Sequence, residues 1–159
     1  MTEPCPTIAT GVCQCGAVGF RVIGPLGRSV IGQRRMCRRA TGNAFAPLVH
    51  VPGVEFFGTP ARFASSQVAD RGFCKTCGTP LFYEGRHGQG MNLMVGALDD
   101  PDAAPPVFHC GTESRLAWLT FQNGLSAEPA KPGGLTGKTP TDFLSHQYSG
   151  GTEIAKGDT

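Results

Sequence analysis

The distribution of apolar residues along the chain predicts many short β-strands. In residues 16–23, Val18, Phe20 and Val22 alternate with other residues, so an extended chain would place all three on one face. A Gly-Pro pair then ends the run. Similar short runs, bounded by Gly, Pro, Asp or Asn, occupy residues 46–51, 54–57, 61–65, 80–84, 92–95, 107–110 and 116–120.

A helical period of apolar residues is weak throughout the sequence. No stretch keeps a period of about 3.6 residues over several turns, and only short helical turns are expected near residues 37–42 and 99–103. The 23 Gly and 13 Pro residues also favour turns over long helices. Together these patterns predict a mainly β fold of two small antiparallel sheets, or a partly open barrel.

Length and composition divide the chain into three segments. A chain of 159 residues is long enough for one domain with its own core. We assign that domain to residues 11–125, after a flexible N-terminus at residues 1–10. Residues 126–159 are rich in Gly and Pro and poor in apolar side chains, which predicts a mostly irregular extension. Phe143 and Leu144 are its candidates for a single docking contact with the domain.

The charge balance and the N-terminus favour a protein of the cytoplasm. A formal net charge of +2 is far from the strongly basic balance of nucleic-acid-binding domains, so nucleic acid is not expected as a partner. Residues 1–10 lack a basic start followed by an apolar run, and no run of about 18 apolar residues occurs anywhere. Neither export nor a membrane partner is therefore expected.

The seven cysteines carry the most specific chemical signal. A reducing compartment keeps thiols free, so clustered cysteines there are typical of metal binding rather than of disulfides. Cys13 and Cys15 can point to the same side of a strand, or meet in a turn. Cys74 and Cys77 have the two-residue gap of a metal-binding turn, and Gly78 can adopt the positive φ that such a turn needs. These four thiolates predict one structural, tetrahedral zinc site.

Groups near the four sulfurs are expected to offset their charge. Four thiolates on one Zn²⁺ leave a net charge of about −2, so hydrogen-bond donors around them matter. The backbone amides of the second cysteine turn, Lys75 and Arg71 are the candidate donors. The alternative for the two side chains is exposure as solvated surface charge. Cys5 and Cys110 are not expected to be ligands.

The two cysteine motifs resemble those of a known family. Residues 11–20 (GVCQCGAVGF) and 71–81 (RGFCKTCGTPL) are together similar to the glutathione-dependent formaldehyde-activating enzyme family, which includes the centromere protein V domain. The resemblance continues through residues 37–42, residues 98–101, His109 and Trp118. It implies a β-tent fold, one zinc held by the four cysteines, and carbon–sulfur lyase chemistry on adducts of glutathione.

The resemblance also implies a second, catalytic zinc on three cysteines that would fall on residues 32, 34 and 37. This sequence has Gly32 and Arg34 at two of these positions and keeps only Cys37. Glycine has no side-chain ligand, and a permanently charged guanidinium repels Zn²⁺. Two functions are therefore expected: a carbon–sulfur lyase acting on thiol–aldehyde adducts, or a zinc-stabilised binding or scaffold module without catalysis.

Several residues are candidates for contacts with a glutathione-like substrate. Cys37 lies among four arginines, whose charge would favour its thiolate and make it catalytic; the alternative is an unreactive free cysteine. Arg38 and Arg39 are candidates to bind substrate carboxylates, or form part of a solvated basic turn. His109 matches a family histidine and is a candidate substrate contact, although a hydrogen-bonded structural histidine is the commoner case. Trp118 is expected in the core or in a pocket wall, because large aromatic side chains dominate buried area.

Overall fold

The structure, a computed structural model, describes residues 9–121 and 123–130. These residues contain eleven short strands and one α-helix. The strands are β1 (Thr10–Val12), β2 (Gly19–Val22), β3 (Ser29–Gly32), β4 (Ala46–Val51), β5 (Val54–Phe57), β6 (Ala61–Ser66), β7 (Ala69–Phe73), β8 (Pro80–Gly85), β9 (Met91–Met94), β10 (Phe108–Cys110) and β11 (Ser126–Glu128). The helix α1 spans Arg35–Thr41, and 3₁₀ turns occupy Val95–Ala97, Pro101–Ala103 and Thr112–Ser114.

The strands form two sheets. A small antiparallel sheet has the order β1-β2-β5, and a larger sheet of eight strands has the order β11-β10-β3-β4-β9-β8-β7-β6. In the larger sheet β10 is parallel to both β3 and β11, whereas the other pairs are antiparallel. The prediction of a mainly β, two-sheet fold is therefore confirmed, with one sheet larger than expected and partly parallel.

Most strand predictions agree with the structure. The predicted strands at 46–51 and 54–57 have the observed bounds, those at 61–65, 80–84 and 107–110 differ by one residue at one end, and that at 92–95 is shifted by one residue. The prediction at 116–120 is wrong, because this segment makes a turn in which the Leu119 N–H donates to the Leu116 carbonyl. Without strand pairing its side chains do not alternate between core and solvent. Trp118 is accordingly 74% exposed, and its expected place in the core or in a pocket wall is also wrong.

The core lies between the two sheets. Val18, Phe20 and Val22 are all buried, as their alternation predicts. Phe56 from the small sheet lies edge-on to Phe20, with 6.2 Å between ring centroids, and 5.4 Å from Phe82 of the larger sheet. This aromatic cluster joins the sheets through apolar contact, the dominant favourable term in folding.

The helix α1 follows β3 directly and fills the expected position near residues 37–42. It begins after Arg34, which has an extended ψ of 148° and makes no side-chain cap. It ends at Gly42, which has a φ of 64°. Its one buried residue is Cys37. The helix thus turns this thiol inward, beside the end of β3.

β11 pairs in parallel with β10, so residues 126–128 form the edge strand of the larger sheet. The division into residues 1–10, 11–125 and 126–159 stays a prediction. The predictions for residues 1–8, for Cys5 and for Phe143 and Leu144 lie outside the described residues. Within the described residues, none of the helices has the length and apolar character needed to cross a bilayer.

Candidate metal centre

Four cysteine sulfurs form one compact cluster. The Sγ atoms of Cys13, Cys15, Cys74 and Cys77 all lie within 4.8 Å of one another. Two of the separations are 3.6 Å, between Cys13 and Cys15, and 3.7 Å, between Cys15 and Cys74. Tetrahedral ligands at about 2.3 Å from one Zn²⁺ have sulfurs roughly 3.8 Å apart. The donor set and its spacing therefore fit a zinc ion.

The first two sulfurs are held by a turn between β1 and β2. Cys13 and Cys15 follow the last residue of β1, so of the two conformations expected for them the turn is the one observed. The Gly16 N–H donates to the Cys13 carbonyl at 3.0 Å, and the Cys13 N–H donates to the Val18 carbonyl at 2.9 Å. These bonds fold the short segment so that both thiols face the same point.

The other two sulfurs are held by the turn between β7 and β8. The Gly78 N–H donates to the Cys74 carbonyl at 2.8 Å, and the Cys74 N–H donates to the Thr79 carbonyl at 2.9 Å. Gly78 has a φ of 76°, as expected for the residue that closes this turn. The site therefore links the small sheet to the larger one.

Hydrogen-bond donors around the sulfurs come from the backbone and from Thr79. The Val18 N–H donates to the Cys13 sulfur at 3.3 Å, and the Thr79 hydroxyl lies 3.1 Å from the Cys77 sulfur. Arg71 was one expected donor, but its guanidinium lies over the Tyr83 ring, 5.1 Å from the ring centre. The alternative of a solvated Arg71 is also wrong, because the side chain is buried.

Two of the thiols have acidities shifted in opposite directions. Hydrogen bonds from the hydroxyl and backbone of Thr79 lower the pKa of Cys77 to about 5. At Cys15 the backbone N–H of Ala17 lowers the pKa, but burial and the neighbouring sulfurs outweigh it and raise the pKa to about 12. Adjacent thiolates repel one another, so a bound cation favours the deprotonated form of such a cluster.

Comparison with known proteins identifies the family. The family model described as glutathione-dependent formaldehyde-activating enzyme matches residues 8–114, more than half of the chain. The chain belongs to this family. A crystal structure of a Rhodobacter sphaeroides protein is also similar, with 19% identity and a TM-score of 0.43 over 75% of this chain and 99% of that chain. No curated protein matches the sequence significantly.

The family's second zinc does not fit the residues present here. A Cβ added to Gly32 would lie 3.2 Å from the Cys37 sulfur, so these two positions do face each other. Glycine offers no ligand, however, and the Arg34 guanidinium donates a long contact of 3.8 Å to the Cys110 sulfur. Apart from the cluster of four cysteines, the described chain brings together no three His, Cys, Asp or Glu ligands.

A cavity of about 70 Å³ lies where that second metal would be expected. We call it the arginine cavity, after the two cationic side chains in its wall. Its polar lining residues are Arg34, Cys37, Arg71, Tyr83, Asn92 and Cys110. Burial raises the pKa of the Cys110 thiol and of the Tyr83 hydroxyl, although the nearby arginine charges oppose both shifts. Both groups therefore carry their protons at neutral pH.

Two of the predicted substrate contacts lie on α1. Arg38 donates from Nη1 to the backbone carbonyl of Gln33 at 2.8 Å, and also to that of Ser114. It thereby ties the helix to the segments on either side of it. Arg39 is exposed on the same helix. Substrate binding by either residue stays a prediction.

His109 lies in a buried hydrogen-bond chain. Arg115 donates from Nε to Gln33 Oε1 at 2.9 Å, which turns the Gln33 amide nitrogen toward His109 Nδ1 at 2.8 Å. His109 Nδ1 is then the acceptor, and Nε2–H donates to Asn123 Oδ1 at 3.2 Å. Both ring nitrogens have partners within the chain, as in the structural alternative. A role of His109 in substrate binding stays a prediction.

Three residues important to these sites were not found from the sequence. Gln33 and Tyr83 lie in strand-end and strand positions whose polar character normally indicates solvent. Thr79 lies two residues after Cys77. A search of the sequence for hydrogen-bond donors near the sulfurs would have found this residue, but not Gln33 or Tyr83.

Proposed function

We propose that this chain is a zinc-stabilised carbon–sulfur lyase that acts on adducts between an aldehyde and a thiol such as glutathione. Membership of the family supports this reaction class. The observation that supports a location for this reaction is the arginine cavity, whose wall contains the Cys37 thiol and two guanidiniums. Free thiols and a thiolate zinc site also fit a reducing compartment, so we propose a cytoplasmic location.

The reaction exchanges a carbon–sulfur bond for a carbonyl. In one direction a thiolate adds to the aldehyde carbon, the carbonyl electron pair moves to oxygen, and that oxygen takes a proton. In the other direction the hydroxyl loses its proton, the carbonyl reforms, and the thiolate leaves. Negative charge moves between sulfur and oxygen, so fixed positive charge near both atoms lowers the barrier.

The zinc at the four cysteines supports the fold in this proposal. Four protein sulfurs close a tetrahedral site and leave no position for substrate. The reactive groups are then sought in the arginine cavity, where Cys37 is the proposed catalytic residue. Arg38, Arg39 and His109 are the further proposed contacts, through the carboxylates of the thiol substrate.

Exchange spectroscopy tests the proposal directly. NMR magnetisation transfer between free and adducted glutathione, in the presence of formaldehyde, should be faster with the zinc-loaded protein than with buffer. The Cys37→Ser variant should lose most of this acceleration, whereas Cys110→Ser, which changes a thiol of the same cavity, should keep it. A wild-type rate equal to that of buffer would contradict the lyase proposal.

The second candidate function is a zinc-stabilised binding module. The observation that favours it is the replacement of two second-zinc ligands by Gly32 and Arg34, which removes the metal that would do chemistry. It predicts that the protein binds a ligand in the arginine cavity without accelerating the exchange reaction. Ligand binding with no rate enhancement in the same sample would select this candidate.

A further inference from the structure

Neither arginine in the wall of the arginine cavity, Arg34 or Arg71, forms an ion pair with a described acidic residue. The Arg71 side chain is 6% exposed, yet its Nε and Nη1 atoms have no hydrogen-bond partner. Nε of Arg34, which is buried in the wall of the same cavity, also has no partner. Ion pairs in the described chain involve Arg21, Arg62 and Arg86 instead.

Such an arrangement is unfavourable in the ligand-free protein. A buried charge without a counter-charge, and buried N–H groups without acceptors, both lose the solvation that water would provide. The contact of Arg71 with the Tyr83 ring offsets part of this loss but satisfies no N–H group. Unpaired buried donors of this kind are rare in folded proteins, and they indicate a ligand that supplies the acceptors.

We propose that the arginine cavity binds the carboxylate of a small organic acid. Guanidiniums donate charge-assisted hydrogen bonds to carboxylate oxygens, and Arg71 has two donors without a partner, Nε and Nη1, on different edges of the group. The Tyr83 hydroxyl and the Asn92 amide in the wall add neutral donors. This binding does not depend on the lyase activity proposed above.

The size and surroundings of the cavity fit this ligand. Its volume of about 70 Å³ exceeds the roughly 10–15 Å³ that a single water needs. Arg71 also lines a neighbouring cavity of about 310 Å³, whose wall includes Phe63, Phe73, Phe82 and Met94. An acid held by Arg71 would therefore have a largely apolar space beside it for the rest of the molecule.

Calorimetric titration of the zinc-loaded protein at constant ionic strength tests the proposal. Acetate and hexanoate should bind, hexanoate more tightly, whereas neutral acetamide should not. Arg71→Gln should weaken carboxylate binding by about tenfold or more, the effect of losing a charge-assisted hydrogen bond. Arg21→Gln, which removes an exposed arginine paired with Glu55 on the small sheet, should bind acids like the wild type.

Thermal stability separates ligand binding from a structural role of Arg71. Arg71→Met removes an unpaired buried charge, so it should raise the Tm of the ligand-free protein while it abolishes stabilisation by hexanoate. A structural arginine would give the opposite pattern, a lower Tm with ligand stabilisation retained. If the Arg71 variants do not fold, Arg34→Gln should still weaken hexanoate binding.

Three results would overturn the proposal. The first is wild-type protein that binds none of the acids. The second is equal affinity for acetamide and acetate. The third is an affinity for hexanoate that is unchanged in both Arg71→Gln and Arg34→Gln. Sulfate is the further ligand to titrate, because an inorganic oxyanion shares the same hydrogen-bonding chemistry. Binding of sulfate alone would contradict the assignment to an organic acid, and hexanoate binding without sulfate would support it.

Discussion

Among single residues, Gln33 connects several segments of the described chain. Its side chain joins Arg115 to His109, its N–H donates to the Cys110 carbonyl at 2.8 Å, and its own carbonyl accepts from Arg38. A buried amide is stable only when its donors and acceptors are satisfied, and apart from Arg38 these partners come from distant parts of the chain. The chain of hydrogen bonds through His109 therefore holds the wall behind the arginine cavity in one arrangement.

We expect His109→Phe to destabilise the protein although the two side chains are similar in size. The substitution leaves the buried Gln33 amide nitrogen without its acceptor, at a cost of about 1–3 kcal/mol, whereas the exposed Asn123 still accepts from the Leu125 N–H. Urea unfolding measures the loss in free energy. His87→Phe, at an exposed position, is the control and should change little. Equal losses in the two variants would contradict a structural role for His109.

At the scale of elements, α1 is too short to be stable alone and depends on its attachments. It has seven residues, about two turns, with no side-chain cap at its start and no acidic residue in its first turn. The Arg38 side chain compensates for the missing cap, because it donates to the Gln33 carbonyl just before the helix and to the Ser114 carbonyl of another segment. The position of the Cys37 thiol in the cavity depends on the same attachment.

We expect Arg38→Met to loosen this helix. It keeps the apolar stem but removes both hydrogen bonds from a charged group, each worth about 1.5–3 kcal/mol. Hydrogen exchange should become faster in residues 35–41 and 112–114 and stay unchanged in β8 and β9. Arg38→Lys, which keeps one donor group, should give an intermediate rate. Unchanged exchange in the helix of the Arg38→Met protein would show that the contacts do not hold it.

The strands show which elements the sequence pattern can predict. β4 and β5 were found because each is a short, largely apolar run bounded by Gly, Pro or Asn. β7 was missed because an arginine in a short segment normally indicates an exposed position, whereas the Arg71 side chain is buried. β10 pairs with β3 across 78 positions, from Val30 to Phe108, and no local signal reports such a parallel pairing. The zinc ligands were predictable because their spacing is a local property.

At the scale of the whole molecule, the cluster of four cysteines joins the two sheets. Structural zinc binds small domains with an apparent free energy on the order of 10–16 kcal/mol, comparable to the whole stability of a domain of about 5–15 kcal/mol. We expect about one zinc per chain by elemental analysis, and we expect its removal by a strong chelator to unfold the protein reversibly, as followed by circular dichroism.

The cysteine variants supply the controls for this prediction. Cys77→Ser should lose zinc and resemble the chelated protein, whereas Cys110→Ser should keep both its metal and its fold. An unchanged Tm after complete removal of zinc would contradict the structural role of the site. Two zinc ions per chain would contradict the absence of a second site near Gly32 and Arg34.

The linkage between the two cysteine turns also determines when the fold can be completed. Cys15 and Cys74 are 59 positions apart in the chain, yet their sulfurs lie 3.7 Å from each other. During synthesis the first pair of ligands leaves the ribosome long before the second, because translation proceeds at about 5–20 residues per second. For those seconds β1 and β2 have neither their metal nor the sheet against which they pack. The hairpin of β1 and β2 is thus expected to reach its final packing only after the second cysteine pair has been made.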